Sequence, residues 1–373
     1  MHDRWRRAEA PAREALGDLP GLVCFSHLRW GFVWQRPQHL LSRLARLLPV
    51  YVVEEPVFAE GAPELRVAID GDITLLTPQL PAGMQRSWGF NAVTNPLIRD
   101  LTTTFFADRA LLRGARPWTG PGPITWYYTP MAFGAEPVDL DPGLIIFDAM
   151  DELASFRGAP AELRSREAAL MASADLVFTG GPSLYEARRD RHPSVHCFPS
   201  GVESAHFAQA ARGGSVPADL AVHPQPVLGF YGVLDERLDL DLLAAVADTR
   251  PDWTIALVGP VVKIDPADLP QRPNIIYYGK QDYKDLPRFL TGFDVALLPF
   301  AQNEATRFIS PTKTLEYLAG GKPVVATSIP DVVSLYGEVV RFADEPAAFI
   351  TAIEAILAEL PAERARRLAA AAA

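Results

Sequence analysis

Short apolar runs alternate along most of the chain with longer stretches in which apolar positions recur every three or four residues. The runs at 22–26, 50–53, 73–76, 124–128, 144–147, 176–179 and 195–198 read as buried strands, and the amphipathic stretches at 39–48, 97–112, 161–172 and 183–189 as helices between them. A second series offers strands at 227–231, 254–258, 275–278, 295–298 and 323–326, with helices at 238–247, 286–290, 311–319 and 347–359. Near-continuous apolar strands separated by helices belong to parallel sheets covered on both faces, so each series predicts a doubly wound α/β domain. Residues 1–18, charged and alanine-rich, read as a short helix, and 199–203 break the rhythm as a linker. The expected domains are 1–200 and 201–345, followed by a C-terminal helical segment, 346–373, that packs back toward the first domain. A hinge between two such domains leaves a cleft at the carboxyl ends of their strands.

A length of 373 residues gives each domain enough chain for its own core. Lysine plus arginine number 35 against 45 aspartate plus glutamate, a net charge of −10 that excludes a general nucleic-acid binder, which needs a basic footprint. No apolar run approaches the ~18 residues of a membrane helix, and the first residues lack the apolar core of a signal peptide. A cytoplasmic location is expected, with Cys24 and Cys197 as thiols of a reducing compartment. The stretch Met84-Gln85-Arg86-Ser87-Trp88-Gly89-Phe90 suits either a surface dipping into a lipid interface or a loop folded over the first domain's core.

The most informative segment is Ser310-Pro311-Thr312-Lys313-Thr314-Leu315-Glu316. Ser310 followed by Pro311 reads as an N-cap and a first helical residue, and Gly320-Gly321 ends the helix. Lys313 then lies in the first turn, where the macrodipole disfavours a cation and a capping box would place Glu or Gln. A lysine among first-turn N–H groups, Thr312 included, makes an anion site suited to a phosphate. Glu316 follows one turn on, within reach of a sugar hydroxyl. Gly229-Phe230-Tyr231-Gly232 ends the first strand of the second series, where Gly232 permits close backbone approach and Arg237 adds a charge near a diphosphate, unless the glycines form a plain turn.

In the first domain, strand 144–147 runs into Asp148-Ala149-Met150-Asp151-Glu152, carboxylates at a strand's carboxyl end where a general base belongs. Asp151 could instead cap the next helix. The first strand leads into Ser26-His27-Leu28-Arg29-Trp30-Gly31-Phe32-Val33-Trp34-Gln35-Arg36. His27, Arg29, Gln35 and Arg36 offer hydrogen bonds, and Trp30 and Trp34 offer faces on which a sugar can stack; the alternative is core tryptophans and solvated arginines. No histidine spacing indicates a metal site.

Taken together, these motifs resemble bacterial glycosyltransferases of the GT-B fold, two Rossmann-like domains that use nucleotide sugars. The resemblance runs from Leu22 to the last helix and is strongest to a group with S-H-L-R-W-x-F-V-x-Q-R-P-Q-H-L near the N-terminus, here Ser26 to Leu40. It extends more distantly to xanthan-type glucuronosyltransferases. It implies a cell-envelope or exopolysaccharide role, a UDP-sugar donor as co-substrate without a cofactor, and a glycan or lipid-linked acceptor; peripheral contact with the inner face of the cytoplasmic membrane is what the lipid-interface reading of the 84–90 stretch would add. It also implies Asp151 as base and Lys313 as diphosphate ligand. One departure stands out: the large retaining family carries Glu-x7-Glu, and Phe308 occupies the first acidic position here. A nucleotide-sugar epimerase and a non-catalytic GT-B-like subunit share the pattern and stay open.

Overall fold

The computed structural model describes residues 10–12, 14–16, 19–86, 88–107, 109, 122–360, 362–364 and 366. Most of the helix expected over 1–18 lies outside them, as do 110–112 of the helix expected over 97–112 and most of the chain beyond 360. The chain forms two compact units, Met1–Phe198 and Pro199–Ala373.

In the first unit a nine-stranded sheet runs β3-β5-β2-β1-β6-β7-β8-β9, with β4 antiparallel to β5 and the other pairs parallel. The strands are β1 (Leu22–Ser26), β2 (Val50–Glu54), β3 (Val57–Ala59), β4 (Glu64–Asp70), β5 (Ile73–Pro81), β6 (Ile124–Tyr127), β7 (Leu144–Ala149), β8 (Leu176–Thr179) and β9 (Val195–Cys197). Helices α1 (Arg36–Leu44), α2 (Thr94–Ala107), α3 (Leu163–Ser173) and α4 (Pro182–Glu186) connect them. Every residue of β1 and β6 is buried, as central parallel strands require. Apolar clusters lie on the two faces of the sheet, one around Phe25, Tyr127 and Phe147, the other around Cys24, Trp126 and Ile146.

The second unit has α5 (Ser204–Ala211), α6 (Ala218–Ala221), β10 (Val227–Tyr231), α7 (Leu240–Thr249), β11 (Thr254–Val258), β12 (Ile275–Gly279), α8 (Leu286–Gly292), β13 (Val295–Leu298), α9 (Thr312–Ala319), β14 (Val324–Ala326), α10 (Pro330–Tyr336), β15 (Arg341–Phe342) and α11 (Pro346–Leu357). Its six strands are all parallel, in the order β12-β11-β10-β13-β14-β15. That is the Rossmann order, and it reverses between β10 and β13. In the first unit the corresponding reversal falls between β1 and β6. Ligands of open parallel sheets bind beyond the carboxyl ends of strands at such a switch point.

Two sequence expectations change. The helix expected over 39–48 begins at Arg36, because Gln35 occupies the N-cap and the Gln38 side chain accepts from the Gln35 N–H at 3.0 Å. Gln35 and Arg36 therefore belong to a helix start rather than an open loop. The aromatic pair near residue 90 is split: Phe90 is fully buried in the core, whereas half-buried Trp88 donates through Nε1 to the Gly158 carbonyl at 3.2 Å. Ser87 lies outside the described residues.

Candidate active site

The second unit gathers its polar groups at the β10/β13 switch point. Pro311, not Ser310, is the capping residue of α9, with φ −65° and ψ 119°. A residue before proline avoids the helical region, and Pro311 stays extended itself, so the helix starts at Thr312. Lys313 is then the second helical residue. Its side chain crosses the end of β10, with Nζ 5.9 Å from the Phe230 ring centroid. Gly232 makes room for it: with φ +142°, a β-carbon there would stand 1.9 Å from Lys313 Cε. Any larger residue at 232 would expel the lysine stem. Arg237 lies nearby in sequence but is matched to a carboxylate, its Nε and Nη2 reaching Asp235 at 2.9 and 2.7 Å. The expected second charge is thus largely neutralised within its own turn.

The first unit brings three strand-end segments together. His27 after β1 stacks on Trp88 after β5, ring centroids 6.5 Å apart, and Trp88 is tied to Gly158 beyond β7. Asp151 is half-buried in the turn after β7. It caps no helix, since the following 3₁₀ turn, Leu153–Ser155, starts from Glu152. Other residues of the acceptor set are engaged elsewhere. Trp30 is buried in the core, its backbone N–H on Glu54 at 2.6 Å and its Nε1 on Asp70 at 2.7 Å. Arg29 donates to the Pro56 carbonyl at 2.9 Å, and Trp34 Nε1 meets His39 Nδ1 at 3.2 Å. Arg36 places Nε 3.0 Å from the carboxylate of Asp148, which is fully buried. Burial raises the Asp148 carboxyl above its ordinary range while Arg36 pulls it back. Glu152 is bound by Arg188 at 2.8 Å. Asp148 and Glu152 are thereby committed to ion pairs. Among the described residues no three His, Cys, Asp or Glu side chains group as a cation site.

Residues 225–359 match the family of glycosyl transferases group 1. The matched stretch lies in the second unit. Gly232, Arg237, Lys313 and Glu316 all lie within it. A Bacillus subtilis strain 168 protein assigned to teichuronic acid biosynthesis as glycosyltransferase TuaH is 30% identical over 207 residues, 53% of this chain and 51% of that protein. The chain spans about half the length of the curated relative it matches. The fold is GT-B. An E. coli structure described as trehalose-6-phosphate bound with UDP-2-fluoro glucose superposes with a TM-score of 0.66 at 15% identity over 94% of each chain. Sucrose-phosphate synthase from Thermosynechococcus elongatus does so with a TM-score of 0.64 at 15% identity, again over 94% of each.

Within the matched stretch, Glu316 is 7% exposed and sits between Lys313 and the buried Tyr231 phenol. Burial pushes its carboxyl up to about 7, against the opposing pull of Lys313. The folded protein therefore binds a proton that an unfolded glutamate releases near 4.5. The stability this proton gives is fully present below about 4.5 and is lost as pH rises through about 7. Glu316→Gln removes that dependence, and over this window the wild type should lose about 3 kcal/mol relative to the variant. Urea midpoints at about pH 5 and pH 8 check it: equal changes in both proteins would contradict the buried, protonated Glu316.

Sequence reasoning gave Tyr231, Asp235 and Arg188 no role at the site and read Trp88 only within a stretch suited to a lipid interface or a core-covering loop. Asp235 was accessible from its spacing to Arg237, because Asp-x-Arg in a turn allows the two side chains to meet. Tyr231 was accessible as the last residue of a buried strand ahead of Gly232. Trp88 bonds to Gly158, 70 residues away, and Arg188 to Glu152, 36 residues away, and local pattern carries no signal for that.

Proposed function

We propose that this protein transfers a sugar from a nucleoside-diphosphate sugar, most simply a UDP-sugar, to a hydroxyl of a glycan or lipid-linked acceptor in cell-envelope polysaccharide synthesis. The observation that carries the reading is Lys313, laid across Gly232 at the start of a helix and at a Rossmann switch point, inside the matched domain. The name of the B. subtilis relative supports the polysaccharide context, and the UDP-2-fluoro glucose of the E. coli structure supports the donor class.

The acceptor oxygen forms a bond to the anomeric carbon as the bond from that carbon to the diphosphate oxygen breaks. The acceptor proton passes to Asp151, and the electron pair leaves with the nucleoside diphosphate. Lys313 and the α9 N-terminus stabilise the charge that grows on the diphosphate, work that elsewhere falls to a metal ion. Direct attack of this kind inverts the anomeric centre, consistent with the absence of the first acidic residue at Phe308. His27 and Trp88 supply a stacked aromatic edge for the acceptor sugar.

A thermal-shift screen of nucleoside diphosphates and their sugars tests the reading. A ligand held at 100 times its Kd stabilises by roughly 2.7 kcal/mol. One nucleoside-diphosphate family, expected to be uridine, should raise the melting temperature by several degrees, whereas free sugars should not. A flat response across all nucleotides contradicts the proposal.

A further inference from the structure

The turn that receives the Lys313 stem is held from two further sides. Strands β10 and β11 end their pairing at Tyr231 and Val258, yet the two segments stay bonded beyond that point. The Gly232 N–H donates to the Val258 carbonyl at 2.8 Å, the Leu234 N–H to the Pro260 carbonyl at 2.9 Å, and the Val262 N–H to the Leu234 carbonyl at 3.0 Å. Between these bonds Gly259 meets Gly232 backbone to backbone. The φ of Gly259 is +153°, and a β-carbon there would stand 1.7 Å from the Gly232 carbonyl oxygen and 2.7 Å from its carbon. The far end of the turn is tied to the segment after β13. There Leu238 bridges Phe300, the Asp239 N–H reaches the Pro299 carbonyl at 2.8 Å, and the Ala301 N–H reaches the Arg237 carbonyl at 2.8 Å.

Gly232 is therefore enclosed: Lys313 Cε fills the space left by its missing side chain, and Gly259 lies against its carbonyl. The sheet does not call for the second contact, because five residue pairs, Val227–Tyr231 with Thr254–Val258, already set the β10–β11 register. Leu234 is 1% exposed and roots the turn in the core, so a push at Gly232 is not relieved by sliding the whole turn. Real contacts to a β-carbon are not shorter than 3.0 Å, so a side chain at 259 would drive the Gly232 peptide away by about 1 Å. The Lys313 stem rests on that peptide and would move with it. A charge-assisted hydrogen bond from the ammonium is sensitive to such a shift in distance and angle.

We propose that Gly259 is a positioning residue of the donor site: by admitting the Gly232 turn, it fixes where Lys313 presents its ammonium to the diphosphate. This rests on the reading of Lys313 as the diphosphate ligand. Gly259→Ala should weaken UDP binding by about tenfold, through a displacement of the order that misplaces a bound group. Affinity for free uridine should stay within about twofold, since uridine carries nothing for Lys313 to hold. The same substitution is then made in Lys313→Ala, with calorimetry for the tight complexes and ligand-observed NMR for the weak ones. There it should change UDP affinity by less than about twofold, because a residue that acts through another is not additive with it. A merely structural role would lower the melting temperature, weaken UDP and uridine alike, and cost the same factor in both backgrounds. Pro260→Gly adds no atoms and only loosens the carbonyl that holds Leu234, so it serves should Gly259→Ala fail to fold. It should weaken UDP by about threefold, again only where Lys313 is present. Folded variants that bind UDP like wild type, or that lose the same factor without Lys313, overturn the role of Gly259. If Lys313→Ala alone leaves UDP affinity unchanged, the reading of Lys313 falls instead, and that outcome is distinct.

Discussion

Asp151→Asn retains donor affinity and melting temperature but loses most turnover, by about 10²–10⁴-fold, the usual cost of removing a general base. The expectation comes from placement: Asp151 follows β7, at the carboxyl edge of the first unit's sheet. Asparagine is nearly isosteric and keeps an oxygen acceptor, so a structural role for the side chain would survive the change and a proton-accepting role would not. Single-turnover rates with saturating donor give the answer. If the variant turns over like wild type, the base lies elsewhere, and His27, stacked on Trp88, is the next group to test.

Lys313→Ala weakens binding of the nucleoside diphosphate and its sugar by about 10- to 150-fold, the range of a charge-assisted hydrogen bond worth about 1.5–3 kcal/mol. The fold should hold, because the lysine stem lies over Gly232 and the edge of Phe230 at the strand ends rather than filling the core. Calorimetric titration of UDP into wild type and variant checks it, with free uridine as the control. Uridine lacks the diphosphate and should lose almost nothing. A well-folded variant with unchanged UDP affinity would remove Lys313 from the donor site.

Much of the architecture was legible in the sequence because central parallel strands are apolar at every position. Residues 22–26, 176–179, 227–231, 254–258 and 295–298 were read with their observed bounds. The strands β3 and β4 were not read. β4 is exposed at all but one of its seven positions, and its Ile69 is 79% exposed, so an edge strand of this kind leaves no burial pattern. At the candidate site, the first-turn lysine was legible because a cation in that position breaks a local electrostatic rule. The commitments of Arg36, Arg188 and Arg237 were less so. Whether a surface-type residue faces solvent or a buried carboxylate depends on which strands become neighbours, as with Arg36 on α1 and Asp148 on β7, 112 residues apart. Trp30 shows the same limit: its place in the core depends on Glu54 and Asp70, which pattern reading had left unassigned.

The central claim is sugar transfer from a nucleotide to an acceptor, and the most direct measurement follows an isotope-labelled UDP-sugar by NMR and mass spectrometry, with and without glycan acceptors. The account predicts label on the acceptor with inverted anomeric configuration, one UDP released per sugar transferred, and Asp151→Asn nearly silent. Conversion of the donor to an isomeric sugar without any acceptor, or a product of retained configuration, would contradict it.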